Sequence, residues 1–390
     1  MMKIPINQER LGHTFVQLCE IDSPSRREKG VSDYLKRICH ELGAVSIVED
    51  DSAQQTGSDC GNLIISFPGN RPDQETIFFA CHMDTVEPGC GVEVVQTGDV
   101  FTSRGDTVLG SDDKSGIAAL IELMRILEEK SIAHGPLELL FTTCEEIGLL
   151  GAKALNCSGL SAAYGYALDS TGIDRIITGA PAANKLRIEV HGIAAHAGLH
   201  PEQGISALCL TANAITNLRL GRLDEESTAN FGLIHGGVAT NIIPDHITIE
   251  GEVRSHSLQK LAAHTAEIQR TFQQVIECWP FQPGQRGNNE TQELDLSPSV
   301  SIDVQLEYPA MRLEMNDPVL AKVKDAGINL GRTLEFQIAG GGSDANIFNS
   351  HGLPTAIIAT GMDKVHTTDE CLDLKDLIRL TELLFAIVVA

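Results

Sequence analysis

Hydrophobic and polar positions along the chain change their rhythm twice. From about Asn7 to Leu42 apolar residues recur at helical spacing, interrupted at Asp22-Ser-Pro-Ser-Arg26 by turn chemistry. An amphipathic helix resumes from Glu28 through Val31, Leu35 and Ile38. Short apolar runs follow: Val45 to Val48, Gly61 to Phe67, Ile77 to Cys81, Leu137 to Thr143 and Tyr164 to Leu168. With the apolar helix from Ile117 to Leu127 between them, they predict a parallel sheet with crossover helices. The stretch from Val92 to Asp106 reads as a loop or hairpin. Near Ala180-Pro181 the rhythm changes, and Lys185 to His191 alternates with period two, as in a half-exposed antiparallel strand. A helix from Ile205 to Leu218, strands from Phe231 and Asp245, a long helix from Leu258 to Cys278 and a strand from Val300 complete a β-α-β-β-α-β order. Between the last two, 282–297 is polar and rich in Gly, Asn and Gln, and reads as a mobile excursion. Helical spacing returns at Asn316, then come a buried strand from Pro354 and a final helix from Leu374 to Val389. The expected architecture is α/β, a doubly wound, mainly parallel sheet with helices on both faces, formed by 1–181 and 313–390. An α+β sandwich, 182–312, is inserted as a lid.

Composition narrows the partners. The formal net charge of −24 argues against nucleic acid or an anionic membrane surface. The ten cysteines are scattered, with no CxxC pair, which suggests a reducing cytoplasm. No apolar run approaches the roughly 20 residues of a membrane-spanning helix, and the first residues lack the apolar core of a signal peptide.

Candidate chemistry lies where buried strands end. Thr76-Ile-Phe-Phe-Ala-Cys-His82-Met-Asp84 is an apolar run stopped by His-X-Asp, and ligands in open α/β sheets bind beyond the carboxyl ends of strands. Residues two apart share a strand face, so Asp84 can hold one imidazole nitrogen of His82 and leave the other for a metal. Asp112-Asp113 precedes an apolar helix and reads as an N-cap or as a pair of ligands. Glu145-Glu146 ends another strand, where adjacent carboxylates are either exposed or compensated by a cation. Asp169 and His366 complete the group. His82, Asp84, Asp112, Glu145, Glu146, Asp169 and His366 form a nitrogen-and-oxygen set that suits zinc, manganese or cobalt. Such a set serves two metals if one carboxylate bridges, Asp84 orients, and one of Glu145 and Glu146 is left as general base.

The motifs Phe79-Ala-Cys-His82-Met-Asp84-Thr-Val, Gly110-Ser-Asp112-Asp113-Lys114-Ser-Gly116, Thr143-Cys-Glu145-Glu146-Ile-Gly148, Leu168-Asp169 and His366 resemble the signature of the M20 metallopeptidases. Gly192-Ile-Ala-Ala-His196-Ala-Gly198 and Gly236-Gly-Val-Ala-Thr-Asn241-Ile-Ile-Pro244 resemble that family's lid motifs, and the likeness is greatest to its peptidase T-like branch. The resemblance implies two divalent ions, zinc first. Asp112 would bridge them, with His82 and Asp169 on one ion and Glu146 and His366 on the other. It further implies Glu145 as general base, Asp84 as the residue holding His82, and a cis peptide after Asp112. His196 would steady the oxyanion, Arg254 would bind a substrate carboxylate, and Asn241 would assist. The expected substrate is a small peptide, cleaved by a cytoplasmic tripeptidase-like aminopeptidase that dimerises through the lid. The alternatives are an N-acyl amino acid deacylase, a carboxypeptidase or dipeptidase, or a metal-holding binding protein without turnover; an intact Glu145 argues against the last.

Overall fold

The computed structural model describes residues 4–279 and 297–389. The polar excursion expected at 282–297 lies, except for Ser297, outside the described residues. The chain divides into two compact units, Met1–Ala180 with Met311–Ala390, and Pro181–Ala310.

In the first unit the apolar runs become one sheet. Its central strands, Leu137–Thr142, Ile77–His82, Tyr164–Ala167 and Thr355–Ile358, run parallel. Ser46–Glu49 and Leu63–Phe67 extend it antiparallel on one side, and Arg175–Ala180 is antiparallel to Thr355–Ile358 on the other. The sheet is therefore parallel in the middle and mixed towards its rims. All six residues of Ile77–His82 are buried, because both faces of the sheet are covered. Phe79 and Cys81 join the core that holds Leu11, Phe15, Ile117, Leu120 and Leu384, from three helices, Gln8–Cys19, Ser111–Glu129 and Leu374–Val389. Phe78 points to the opposite layer, where its ring meets Phe348 of the helix Asp344–Ser350 edge-on at 5.6 Å. The stretch 92–106 contains an antiparallel hairpin, Val94–Thr97 with Val100–Ser103. Cys371–Asp373 pairs with it and with Met362–Asp363. The loop between these last two short strands carries His366.

The second unit is an antiparallel sheet in the order Gly221–Asp224, Ser227–Gly236, His246–Ser255, Ala182–His191, Ser299–Tyr308. Two helices, Ala207–Thr216 and Leu258–Glu277, cover one face. Leu186, Ile188 and Val190 enter that core with Leu210, Leu261 and Phe272, while Arg187, Glu189 and His191 take the opposite face. Among the described residues no helix is long and apolar enough to cross a membrane.

Candidate metal centre

The parallel strands bring their carboxyl ends to one edge. His82, the last residue of its strand, is in register with Thr142, and the turn after Thr142 carries Glu145 and Glu146. On the other side Ala80 is in register with Ala167, and Asp169 follows two residues later. Asp112 lies in the first turn of the helix Ser111–Glu129, with non-helical backbone at Asp112 and Asp113 and a cis peptide between them. Gly110, at φ 77°, precedes this kinked turn, and the Asp112 carboxylate faces the imidazoles while neither oxygen of Asp113 bonds a helix amide, so neither aspartate side chain caps the helix.

Five segments thus converge. One donor atom each from His82, Asp112 and Asp169 lie within 4.8 Å of one another, as do one each from Asp112, Glu146 and His366. Asp112 belongs to both groups and offers a different oxygen to each imidazole. Its Oδ1 is 3.0 Å from Nε2 of His82 and its Oδ2 is 3.3 Å from Nε2 of His366. His366 also reaches Oε1 of Glu146 at 3.1 Å. The arrangement has more negative than positive charge, with four carboxylates around two imidazoles. Burial, helped by the Asp112 charge, pushes the Asp169 carboxyl up to about 7. Burial also raises Glu146, against the hydrogen bond from His366, and raises Glu145 well above the usual carboxylate range with help from Asp169. For Asp112 burial is outweighed by hydrogen bonds from His366 and His82, which hold it below that range. His366 is in turn pushed up to about 10 by its bonds to Asp112 and Glu146. A divalent cation seated among these donors would relieve the carboxylate repulsion, and the nitrogen-and-oxygen set fits such an ion.

Around the donors lies a set of carboxylates that local sequence pattern did not single out. Glu370, fully buried, accepts hydrogen bonds from the amides of Leu109 (2.7 Å), Gly110 (2.8 Å) and Asp112 (3.2 Å) and from the Ser111 hydroxyl (2.5 Å). It supplies the negative charge that the start of the Asp112 helix favours. Glu28 accepts from the amide of Cys144 at 2.9 Å and from the Ser58 hydroxyl. Cys144 has φ 54°, a left-handed conformation that costs an ordinary residue about 1–2 kcal/mol. The Glu28 bond helps to hold the turn that presents Glu145. Asp84 has a wider role than expected. Nδ1 of His82 is 3.0 Å from its backbone carbonyl and 3.5 Å from its carboxylate. That carboxylate accepts from the amides of Glu145 (3.0 Å) and Glu146 (3.3 Å) and from the Ser25 hydroxyl (2.6 Å). The signal available in sequence was only that Glu28 and Glu370 stand beside motifs; their inward direction is a tertiary fact.

The other expected site residues lie in the second unit. The amide of Ala197 donates to the carbonyl of Asn241 at 2.9 Å, and His196 bridges to Ile242, so the two lid motifs are neighbours. Nδ1 of His196 accepts from the amides of Gly198 and Leu199, both at 3.1 Å. In the neutral ring the proton therefore sits on Nε2, as a donor. Arg254, on the strand His246–Ser255, pairs with Glu252 at 2.9 Å.

The profile of peptidase family M20/M25/M40 matches residues 78–390. The chain belongs to this family. A PepT aminopeptidase of Bacillus cereus is similar over 98% of both chains, at 38% identity and a TM-score of 0.86. A tripeptidase of Staphylococcus aureus is similar over the same shares, at 32% identity and a TM-score of 0.89. An uncharacterized Bacillus subtilis protein, YqjE, is 40% identical over 385 residues, 98% of each chain. Membership of the M20 peptidases makes this protein a metal-dependent hydrolase of peptides.

Proposed function

We propose that the protein is a dinuclear-metal aminopeptidase that removes the first residue of tripeptides. The observation that carries this reading is the place of Asp112 in two three-donor groups. His82, Asp112 and Asp169 would hold one ion, and Asp112, Glu146 and His366 the other; zinc suits the donor set best. When bound, such a pair of ions would polarise the scissile carbonyl, lower the pKa of the attacking water and stabilise the negative charge that develops on the carbonyl oxygen. Glu145, which belongs with His82 and Glu146 to a third close group of donors, takes the proton from the attacking water. It then delivers that proton to the leaving amine nitrogen. Asp84 fixes both the His82 ring and the Glu145-Glu146 turn. In the second unit, His196 offers its Nε2 proton to the oxyanion and Arg254 binds the substrate carboxylate, with Asn241 beside His196. Two relatives, the PepT aminopeptidase and the tripeptidase, support the choice of tripeptides over N-acyl amino acids. We further place the protein in a reducing cytoplasm, since all ten cysteines are unpaired, and as a dimer through 182–312.

A panel of tripeptides, dipeptides and N-acyl amino acids, assayed after loading with zinc, manganese or cobalt, tests the proposal. Tripeptides with a free amino terminus should turn over fastest, and a chelator should abolish activity. Preference for N-acyl amino acids would make the protein a deacylase, and a metal-loaded protein inert on every substrate would make it a binding protein.

A further inference from the structure

The second unit holds another group of metal donors, none of them shared with the centre described above. His191 and His246 end adjacent antiparallel strands and are register partners. Their rings lie 4.8 Å apart between centroids and 23° from parallel. Glu189 is two residues before His191, so it projects from the same face of the strand. One donor atom from each of Glu189, His191 and His246 lies within 4.8 Å of the other two. Both histidines are exposed and Glu189 is half-buried, so an ion can reach them from solvent.

From this we infer a third metal site, at which Glu189, His191 and His246 bind a single zinc-class ion independently of the dinuclear centre. Metal–nitrogen distances of about 2.0–2.1 Å in a tetrahedral site require donors roughly 3.3 Å apart. The three donor atoms already lie within 4.8 Å of one another, and side-chain rotation, with the two stacked imidazoles turning their nitrogens toward the ion, closes the remainder. The strand pairing supplies the rest of the preorganisation. Ladder hydrogen bonds hold the two histidine backbones opposite each other, so little chain entropy is lost when the ion binds. Two imidazoles and one carboxylate select zinc, copper or nickel over calcium or magnesium. Arg187 is the competing partner, since it donates to Glu189 at 2.9 Å, and it also reaches Glu250 at 2.7 Å. Glu250 can keep Arg187 paired while Glu189 turns to the ion. The ion would tie the strand Ala182–His191 to the strand His246–Ser255 at the end of the ladder, where fraying begins.

The test is a titration of the metal-stripped full-length protein with zinc against a chromophoric chelator, beside His191→Ala, His246→Ala and Glu189→Gln. His191→Gln is included as a polar variant should the alanine variants fold poorly. The wild type should take up one more equivalent than either histidine variant, and Glu189→Gln should hold that equivalent more weakly. Peptide hydrolysis, measured with the central ions loaded, should be unchanged in all four variants. Equal uptake by wild type and the histidine variants would overturn the inference. The comparison rests on a difference of one equivalent, so it stands whether the central site takes up two ions, one or none.

Discussion

Glu145 and Glu146 are neighbours in sequence with different surroundings, and they should fail differently. Glu145→Gln keeps size and hydrogen bonding but cannot accept a proton, so turnover should fall by roughly 10²–10⁴-fold with metal content retained. KM should change little, because the lost interaction belongs to the transition state. Glu146→Gln replaces an anionic donor beside Asp112 and His366, so one ion should be lost first, and excess metal should restore part of the activity. Metal stoichiometry measured beside turnover for both variants separates the roles, and the reverse pattern would exchange them. Neighbouring donors of the same centre set a pH dependence for the metal-free protein. The Asp169 carboxyl is raised from 3.8 to about 7 by burial and the nearby Asp112 charge. Its proton is bound more tightly in the folded state, so stability falls as pH rises from its unfolded value through 7. His366, raised from 6.5 to about 10 by Asp112 and Glu146, contributes stability fully present below 6.5 and lost as pH passes 10. Asp112, depressed by the two histidines, makes its contribution already complete above the ordinary carboxylate range and does not alter this window. The melting temperature of chelator-stripped protein should therefore fall between pH 6 and pH 10. A rise over that interval would contradict the assignment.

At the scale of elements, the segment 109–112 is held by a carboxylate 258 residues away from Asp112. Removing Glu370 leaves up to four buried donors without their acceptor, and each such group costs about 1–3 kcal/mol. Glu370→Gln should lower metal affinity by about 10–100-fold, the usual effect of losing a group that holds a ligand in place. Glu370→Ala should in addition melt earlier. Chelator competition and thermal unfolding measure the two effects, and unchanged affinity in both variants would mean that the Asp112 turn is held by other contacts. Gly116 belongs to the same region. A Cβ there would lie 2.7 Å from Oδ1 of Asp113 and 2.8 Å from both Sγ of Cys81 and Cβ of Leu168. Gly116→Ala should destabilise by about 1–3 kcal/mol through overpacking, read from denaturant unfolding.

For the whole molecule, the excursion of the chain at Pro181–Ala310 starts and finishes beside paired residues. Ala180 and Met311 are register partners in the first unit. A short turn can join them without stretching the sheet, and the first unit keeps its own core. A chain shortened to 1–180 and 311–390 through such a turn should fold and retain the metal donors while hydrolysing tripeptides poorly, because His196, Asn241 and Arg254 are gone. Metal uptake beside tripeptide turnover reads the outcome, and full activity would remove the second unit from the reaction.

The sequence by itself determined the α/β class and the metal-binding character of the chain. Apolar runs such as Ile77 to Cys81 are too short for an ordinary helix and fit a strand covered on both faces, and a polar residue at the end of such a run is conspicuous. His82, Asp112, Glu145, Glu146, Asp169 and His366 were legible for that reason, some of them only through ordered motifs. Local pattern could not say which aspartate of Asp112-Asp113 faces the other donors. The two differ by one backbone step, and that step sends Asp112 between His82 and His366 and Asp113 into the core beside Cys81. Nor did it reveal Glu370 beneath the Asp112 turn, Glu28 beneath Cys144, or the Asp84 carboxylate on the amides of Glu145 and Glu146. The pairing of His191 with His246 across 55 residues also depends on strand register. Hydrophobic period is a property of neighbours along the chain, whereas these bonds join residues that only the closed sheet and its turns bring within 3 Å or so.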